Sequence, residues 1–275
     1  THPMLKFDKL LFLKRPGGGY GHTYADQQIG GSGGNLCVLS PVSPDGKVTT
    51  LVPELDGGLF DRFDLSFDAK KVVFGYKQPG GSFRIYEIDL DPKAGKMIPG
   101  SLRQLTSGGD DEAEIIKCND VSGRCRSGGF SDMDPCYLPD GRIIFVSTRS
   151  MRKAFCGSGG STTLYIMDAD GSNMRCLSAG PINELSPCVM NDGRVLYTRW
   201  EYVDKGLGNG ESLWVIRPDG SGSDHVYKNN TVWPAGMSSA RGIPGSRKIV
   251  TIGGGHHLTA VGTVVLVDAR RSRRT

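Results

Sequence analysis

Residues 130–150, FSDMDPCYLPDGRIIFVSTRS, and residues 161–178, STTLYIMDADGSNMRCLS, read as four short strands joined by tight turns. Asp132 to Leu138 runs into Pro139-Asp140-Gly141, a turn whose glycine tolerates a positive φ. Arg142 to Thr148 is β-branched and aromatic, as a buried strand requires. Thr162 to Met167 ends at Asp168-Ala169-Asp170-Gly171, a second turn, and Met174 to Leu177 closes the unit. A four-stranded meander of about 45 residues that recurs along a chain is the signature of a β-propeller blade.

Working outward, the same order of signals appears five times, so the chain is expected to be all-β, a propeller of four-stranded antiparallel blades. The expected blades are residues 9–54, 59–107, 130–178, 182–228 and 237–268, in a single domain across 1–275 that ends in a basic tail, 269–275. The last blade lacks a fourth strand. No stretch carries a sustained i, i+3, i+4, i+7 apolar pattern, so no helix is expected. A ring must close to remove its edges. Either one terminus completes the blade at the other end or a further blade lies beyond residue 275, and the second arrangement is the one expected.

The chain has 275 residues and a formal charge of +4, but Arg270, Arg271, Arg273 and Arg274 supply much of it. The folded part is close to neutral, which argues against a nucleic-acid or anionic-membrane surface. No apolar run reaches the roughly 18 residues that span a bilayer. Thr1-His2-Pro3 lacks an initiator Met, as in a mature or excised chain. The seven cysteines permit disulfides without demanding them, and an odd number leaves one free. Cys118 and Cys125 can close a loop, with Cys156 as another partner, whereas Cys37, Cys136, Cys176 and Cys188 read as small buried hydrophobes in strands.

In a meander of strands A, B, C and D, the B–C loops lie on the same face as the D-to-A connections. Aligning the blades brings His22, Tyr24, Asp26, Arg149, Arg199, Trp200, Glu201, Asp204, His256 and His257 to that face. The starts of the inner A strands add Arg62, Asp132 and Asp134, together with Asp61, Asp64, Asn183, Glu184 and Arg241. This loop face is the default ligand or partner site, and the opposite face holds repetitive Asp-Gly turns with a structural role. His256 and His257 form a tentative divalent-metal pair, for zinc or calcium, if a third ligand comes from His22, Asp26 or Cys156; otherwise one packs in the channel. Residues 198–204, TRWEYVD, are either a hydrogen-bonding platform or an Arg-Glu-Asp network that fixes a long loop. Arg62 with Asp61 and Asp64 reads as a blade-locking salt bridge. No nucleophile motif, phosphate loop or C-x-x-C-H haem-attachment motif occurs, so no catalytic residue is assigned.

The repeated P-x-x-x-PDG-R-I-x-F, followed by LYxMDxDGS and a closing R-x-L-S/T, resembles the TolB-like, PD40-type repeat. Residues 57–74 (GGLFDRFDLSFDAKKVVF), 132–149, 191–205 (NDGRVLYTRWEYVDK), 233–250 (WPAGMSSARGIPGSRKIV) and 254–257 (GGHH) are similar to the middle domain of the hydrazine synthase alpha-subunit-like family. The resemblance covers residues 9–268. It implies a six-bladed ring inside a larger, exported, periplasmic bacterial protein. The partners would be other domains or subunits, including cytochrome c-type ones. In hydrazine synthase itself that propeller is joined to c-haem domains, and the complex makes hydrazine from nitric oxide and ammonium. The haem motifs have no counterpart here, which leaves a scaffold or binding role, or a component of a redox enzyme whose haems lie elsewhere. A propeller gating a peptidase is a third possibility.

Overall fold

In the computed structural model, residues 6–15, 32–119, 129–152, 161–179, 183–201, 210–228, 233–255 and 262–268 are described. Five antiparallel sheets follow one another as blades of a propeller. Blade one contains β1 (Leu10–Lys14), β2 (Asn35–Ser40) and β3 (Lys47–Thr50). Blade two contains β4 (Leu59–Leu65), β5 (Lys71–Lys77), β6 (Phe83–Asp91), β7 (Lys96–Met97) and β8 (Arg103–Gln104), the last two both pairing with β6. A short helix, α1 (Glu112–Asn119), precedes blade three. Blade three is β9 (Asp132–Tyr137), β10 (Ile143–Ser147), β11 (Thr163–Met167) and β12 (Arg175–Cys176). Blade four is β13 (Glu184–Val189), β14 (Val195–Trp200), β15 (Glu211–Ile216) and β16 (Asp224–Tyr227). Blade five is β17 (Gly236–Gly242), β18 (Lys248–Gly254) and β19 (Gly262–Asp268).

The period-2 alternation explains how blades stack. In β10, Ile143 and Phe145 enter the core shared with blade two, while Ile144 and Val146 enter the core shared with blade four. β11 divides likewise, with Tyr165 and Met167 on one side and Leu164 and Ile166 on the other. Each middle blade is therefore apolar on both faces, as a fully covered sheet must be. Burying one such side chain stabilises by about 1.5–3 kcal/mol.

The inner strands β4, β9, β13 and β17 pack on one another in sequence order. Each carries a β-bulge at the same place: between Phe60 and Phe63, Met133 and Cys136, Leu185 and Cys188, and Ser238 and Arg241. In three of them the first bulged residue is left-handed, with φ of 56° at Asp134, 53° at Ser186 and 52° at Ser239. A bulge re-aims the local backbone. Here it turns N–H groups toward the preceding blade.

Two expectations are corrected. A helix exists: α1 has eight residues, too few to show a repeating apolar face, and it is held by its first residue. Glu112 accepts two hydrogen bonds from Arg84 Nη2, at 2.8 and 2.9 Å, and a further short one from the Phe130 backbone N–H. Cys176 is exposed rather than buried, because β12 is the outermost strand of its blade. Cys37, Cys136 and Cys188 are buried as expected, and no described helix is long and apolar enough to cross a membrane.

Candidate functional site at the loop face

The bulges build the centre of this face. Asp61 Oδ2 accepts from the Asp134 N–H at 2.7 Å, and Asp134 Oδ2 accepts from the Ser186 N–H at 2.5 Å. One blade's carboxylate thus holds the backbone of the next. Arg62 forms its ion pair with Asp134 at 3.5 Å and donates to Ser239 Oγ at 2.8 Å. It therefore ties blade two to blades three and five. The expected lock exists, but it works between blades instead of within the Asp61–Asp64 segment. Asp64 accepts from the Tyr137 N–H at 2.9 Å, and burial raises its carboxyl above the usual range. The Tyr137 hydroxyl donates to the buried Glu87 at 2.6 Å. Burial beside that carboxylate pushes the phenol up.

Further out, blades three and four present equivalent inner-strand acids. Asp132 stands opposite Ser147, and Glu184 stands opposite Arg199. Asp132 Oδ1 accepts from Ser147 Oγ at 2.6 Å and Arg149 Nε at 2.9 Å, and its Oδ2 accepts from Arg149 Nη2 at 2.6 Å. The Arg149 guanidinium also lies 5.4 Å from the centre of the Phe130 ring. This pair is complete.

Glu184 is different. Its Oε2 accepts from the Leu164 N–H at 2.9 Å and, by a short bond, from Ser178 Oγ. Its Oε1 is buried and has no hydrogen-bond partner. Burial raises this carboxyl, against the opposing pull of hydrogen bonds from Ser178 and Leu164 and of the Arg199 and Arg152 charges. Arg199 lies 4.7 Å over the Trp214 ring, and its Nε, 4.0 Å from Glu201, is also buried without a hydrogen bond. Beneath them, burial raises the Tyr197 phenol, with Glu184 acting in the same direction.

Of the residues expected on this face, the structure brings Arg62 and Asp134 together at the axis, and Asp132 with Arg149 on blade three. Thr198, Arg199 and Trp200 belong to β14 rather than to a loop, and Trp200 is 1 % exposed, so it is core and not a platform. Glu201 continues the pairing by donating its N–H to the Gly210 carbonyl at 3.0 Å. His22, Tyr24, Asp26, Asp204, His256 and His257, with Cys125 and Cys156, lie outside the described residues. Among the described residues, no group of three His, Cys, Asp or Glu side chains is placed to hold a metal ion. Glu184 stands among the inner-strand starts in the sequence, but nothing there distinguishes it from Asp132; only the missing partner does. Ser161, Tyr197 and Trp214 carry no motif.

Fold and site together define an all-β propeller of antiparallel blades with a polar loop face, whose inner strands are tied blade to blade by Asp61, Arg62 and Asp134. No protein-family model matches the chain, and no curated protein matches it. Among solved structures, it is similar to Kuenenia stuttgartiensis hydrazine synthase at 15% identity and a TM-score of 0.69, covering 96% of this chain and 38% of that one. A protein from Agrobacterium tumefaciens assigned as TolB gives 14% identity and a TM-score of 0.57, over 93% of this chain and 80% of that chain. A puromycin-hydrolysing peptidase of Mycobacterium tuberculosis gives 16% identity and 0.51, over 86% and 32%. At these identities the likeness is one of fold, and the chain spans under two fifths of the hydrazine synthase chain it matches.

Proposed function

We propose that this chain is a propeller scaffold whose loop face docks a partner domain or holds a small ligand or divalent metal. It would do so within a larger, extracytoplasmic protein of the hydrazine synthase alpha-subunit-like kind. The observation that carries this reading is the asymmetry between the two faces. The turn face repeats one motif, Asp140 clasping Arg142 at 2.6 Å and Asp192 clasping Arg194 at 2.7 Å, both exposed and self-satisfied. Among the described residues, the loop face carries unlike groups in blades three and four, Asp132 with Arg149 against Glu184 with Arg199, and Glu184 Oε1 and Arg199 Nε lack hydrogen-bond partners. Binding energy comes from such unsatisfied, preorganised groups, not from turns that have completed themselves.

The test is site-specific photo-crosslinking in the native cell. A benzophenone side chain at Ser150 or Met151, beside the loop face, should label one defined partner, and the same group at Asp140 or Asp192 should not. Equal labelling from both faces, or none from the loop face, removes the proposal. The metal arm is tested by metal analysis of the purified chain and of its His256→Ala, His257→Ala variant, where stoichiometric metal lost on substitution is the supporting result.

A second reading, a component of a c-haem redox enzyme, is favoured by the fold likeness to the hydrazine synthase chain. Its haems would sit on neighbouring domains, because this chain has no C-x-x-C-H motif. A C-x-x-C-H in the parent protein outside these residues separates the two.

A further inference from the structure

Two buried side-chain atoms on the seam between blades three and four lack a hydrogen-bond partner: Glu184 Oε1 and Arg199 Nε. They belong to one place. Glu184 and Arg199 are directly opposed in the β13–β14 ladder, where facing side chains lie about 5 Å apart at Cβ. The seam is tied beside them: the Thr162 carbonyl accepts from the Glu184 N–H at 2.9 Å, and the Thr162 hydroxyl donates to the Glu184 carbonyl at 2.8 Å. An unpaired polar atom in the interior is costly. Two on directly opposed residues call for an explanation of their own.

The seam presents an acceptor (Glu184 Oε1) and a donor (Arg199 Nε–H). We infer that it binds a neutral amide group, whose N–H donates to Glu184 Oε1 and whose C=O accepts from Arg199 Nε–H. This rests on the reading of the loop face as a binding face, and it names the chemistry bound there. Neutrality follows from the charges already present. The Glu184 and Glu201 carboxyls stand against the Arg199 and Arg152 guanidiniums, two acids to two bases, so the formal charges balance. An added ammonium or carboxylate would bring uncompensated charge into a buried site, which is costly. An amide satisfies both sides without one. Entry is by way of Arg199, whose side chain is 21% exposed and whose guanidinium rests on the Trp214 ring. The amide can come from an Asn or Gln side chain or from a peptide bond of a docked segment.

Arg199 on Trp214 also provides the signal. The experiment titrates the purified chain with N-acetyl-asparagine amide, N-acetyl-alanine methylamide and N-acetyl-aspartate, following indole fluorescence, with Trp214→Phe to identify the reporter. Saturable quenching by the asparagine probe and none by the aspartate probe is expected. The alanine probe binds as well if a peptide bond is what is read, and fails if the side-chain amide is. Glu184→Ala should weaken binding about tenfold or more, the loss of one hydrogen bond. Arg199→Lys, which keeps the positive charge but removes the Nε–H donor, should weaken it by a similar factor. No saturable response to either amide, equal affinity in Glu184→Ala, or equal binding of the aspartate probe overturns the inference. So does a structure at high resolution showing an ordered water only, unmoved by the probes. If the amides fail while loop-face cross-links still form, this inference falls and the docking reading stands; if both fail, both fall.

Discussion

Blades three and four place an acid at the same point of the inner strand and treat it in opposite ways. In blade three, Asp132 is fully spent on Ser147 and Arg149, and its guanidinium partner continues onto the Phe130 ring. In blade four the side chain is one methylene longer and its in-register neighbour is Arg199, drawn away to Trp214. The carboxyl is left with one oxygen occupied and one empty. A fold can therefore use one position as a fastener in one repeat and as an open group in the next, without changing the backbone that presents it.

If that contrast is right, the fastener should matter most. Asp132→Ala leaves Arg149 without its bidentate partner at a side chain only 15% exposed. Breaking a buried pair from one side costs about 3–5 kcal/mol, and the outer part of Arg149 remains in reach of solvent, so the lower end of that range is expected. Urea unfolding measures it. A loss under about 1 kcal/mol would mean that Asp132 is no more structural than Glu184, and the comparison would fail.

The same logic separates middle blades from end blades. Val264 and Leu266 of β19 are 68% and 57% exposed, and Leu10 and Val48 of blade one are 40% and 48% exposed. Their counterparts in β11, Leu164 and Ile166, are buried between two blades. Ile166→Ala should cost about 2–4 kcal/mol, whereas Leu266→Ala should stay within about 0.5 kcal/mol. A large loss at Leu266 would show that something covers this face in solution. Ring closure by a further β unit would cover it in this way.

Glu184 offers a test with a sign. Burial raises its carboxyl in the folded chain, so the folded state holds the proton more tightly than the unfolded one. Stability from this group is present below the ordinary carboxylate range and is lost as pH rises toward the raised value. Glu184→Gln removes that dependence. Relative to wild type, the variant should gain stability as pH rises through that window, read from unfolding midpoints at several pH values. A wild-type chain that instead grows more stable than the variant as pH rises would mean that Oε1 is occupied by a favourable partner.

The fold was legible because its signals are periodic. The Pro139-Asp140-Gly141 and Asn191-Asp192-Gly193 turns, together with strands that alternate between two cores, need no partner outside their own blade to be read. The loop face was legible as a face, since strand order alone decides which loops share it. Its chemistry was not. Arg62 reads as a local ion pair in sequence, yet its ion-pair partner Asp134 lies on the next blade and Ser239 lies 177 residues away. Trp200 looks like a loop aromatic until β14 is seen to run through it. The difference between Asp132 and Glu184 is made by Arg149, two residues past the end of its strand, and no spacing rule announces it. Helix α1 is likewise held by Arg84, 28 residues upstream of Glu112.

The smallest expected effect is the control for the whole comparison. On the turn face the two blades are alike: Asp140 and Asp192 each bind the arginine two residues on, and hydrogen bonding to that arginine lowers each carboxyl. Both pairs are exposed, so solvent screens them, and each should be worth no more than about 0.5 kcal/mol. Asp140→Ala and Asp192→Ala should therefore cost the same small amount. Both losses should vanish as pH falls through the depressed carboxyl range, because a lowered folded pKa confers stability only while the acid is ionised. Unequal losses would show that blade four is weaker throughout, and the open Glu184 would then be one symptom of a loose blade. Equal losses confine the difference between blades three and four to the loop face, where Glu184 keeps an oxygen without a hydrogen-bond partner and Asp132 does not.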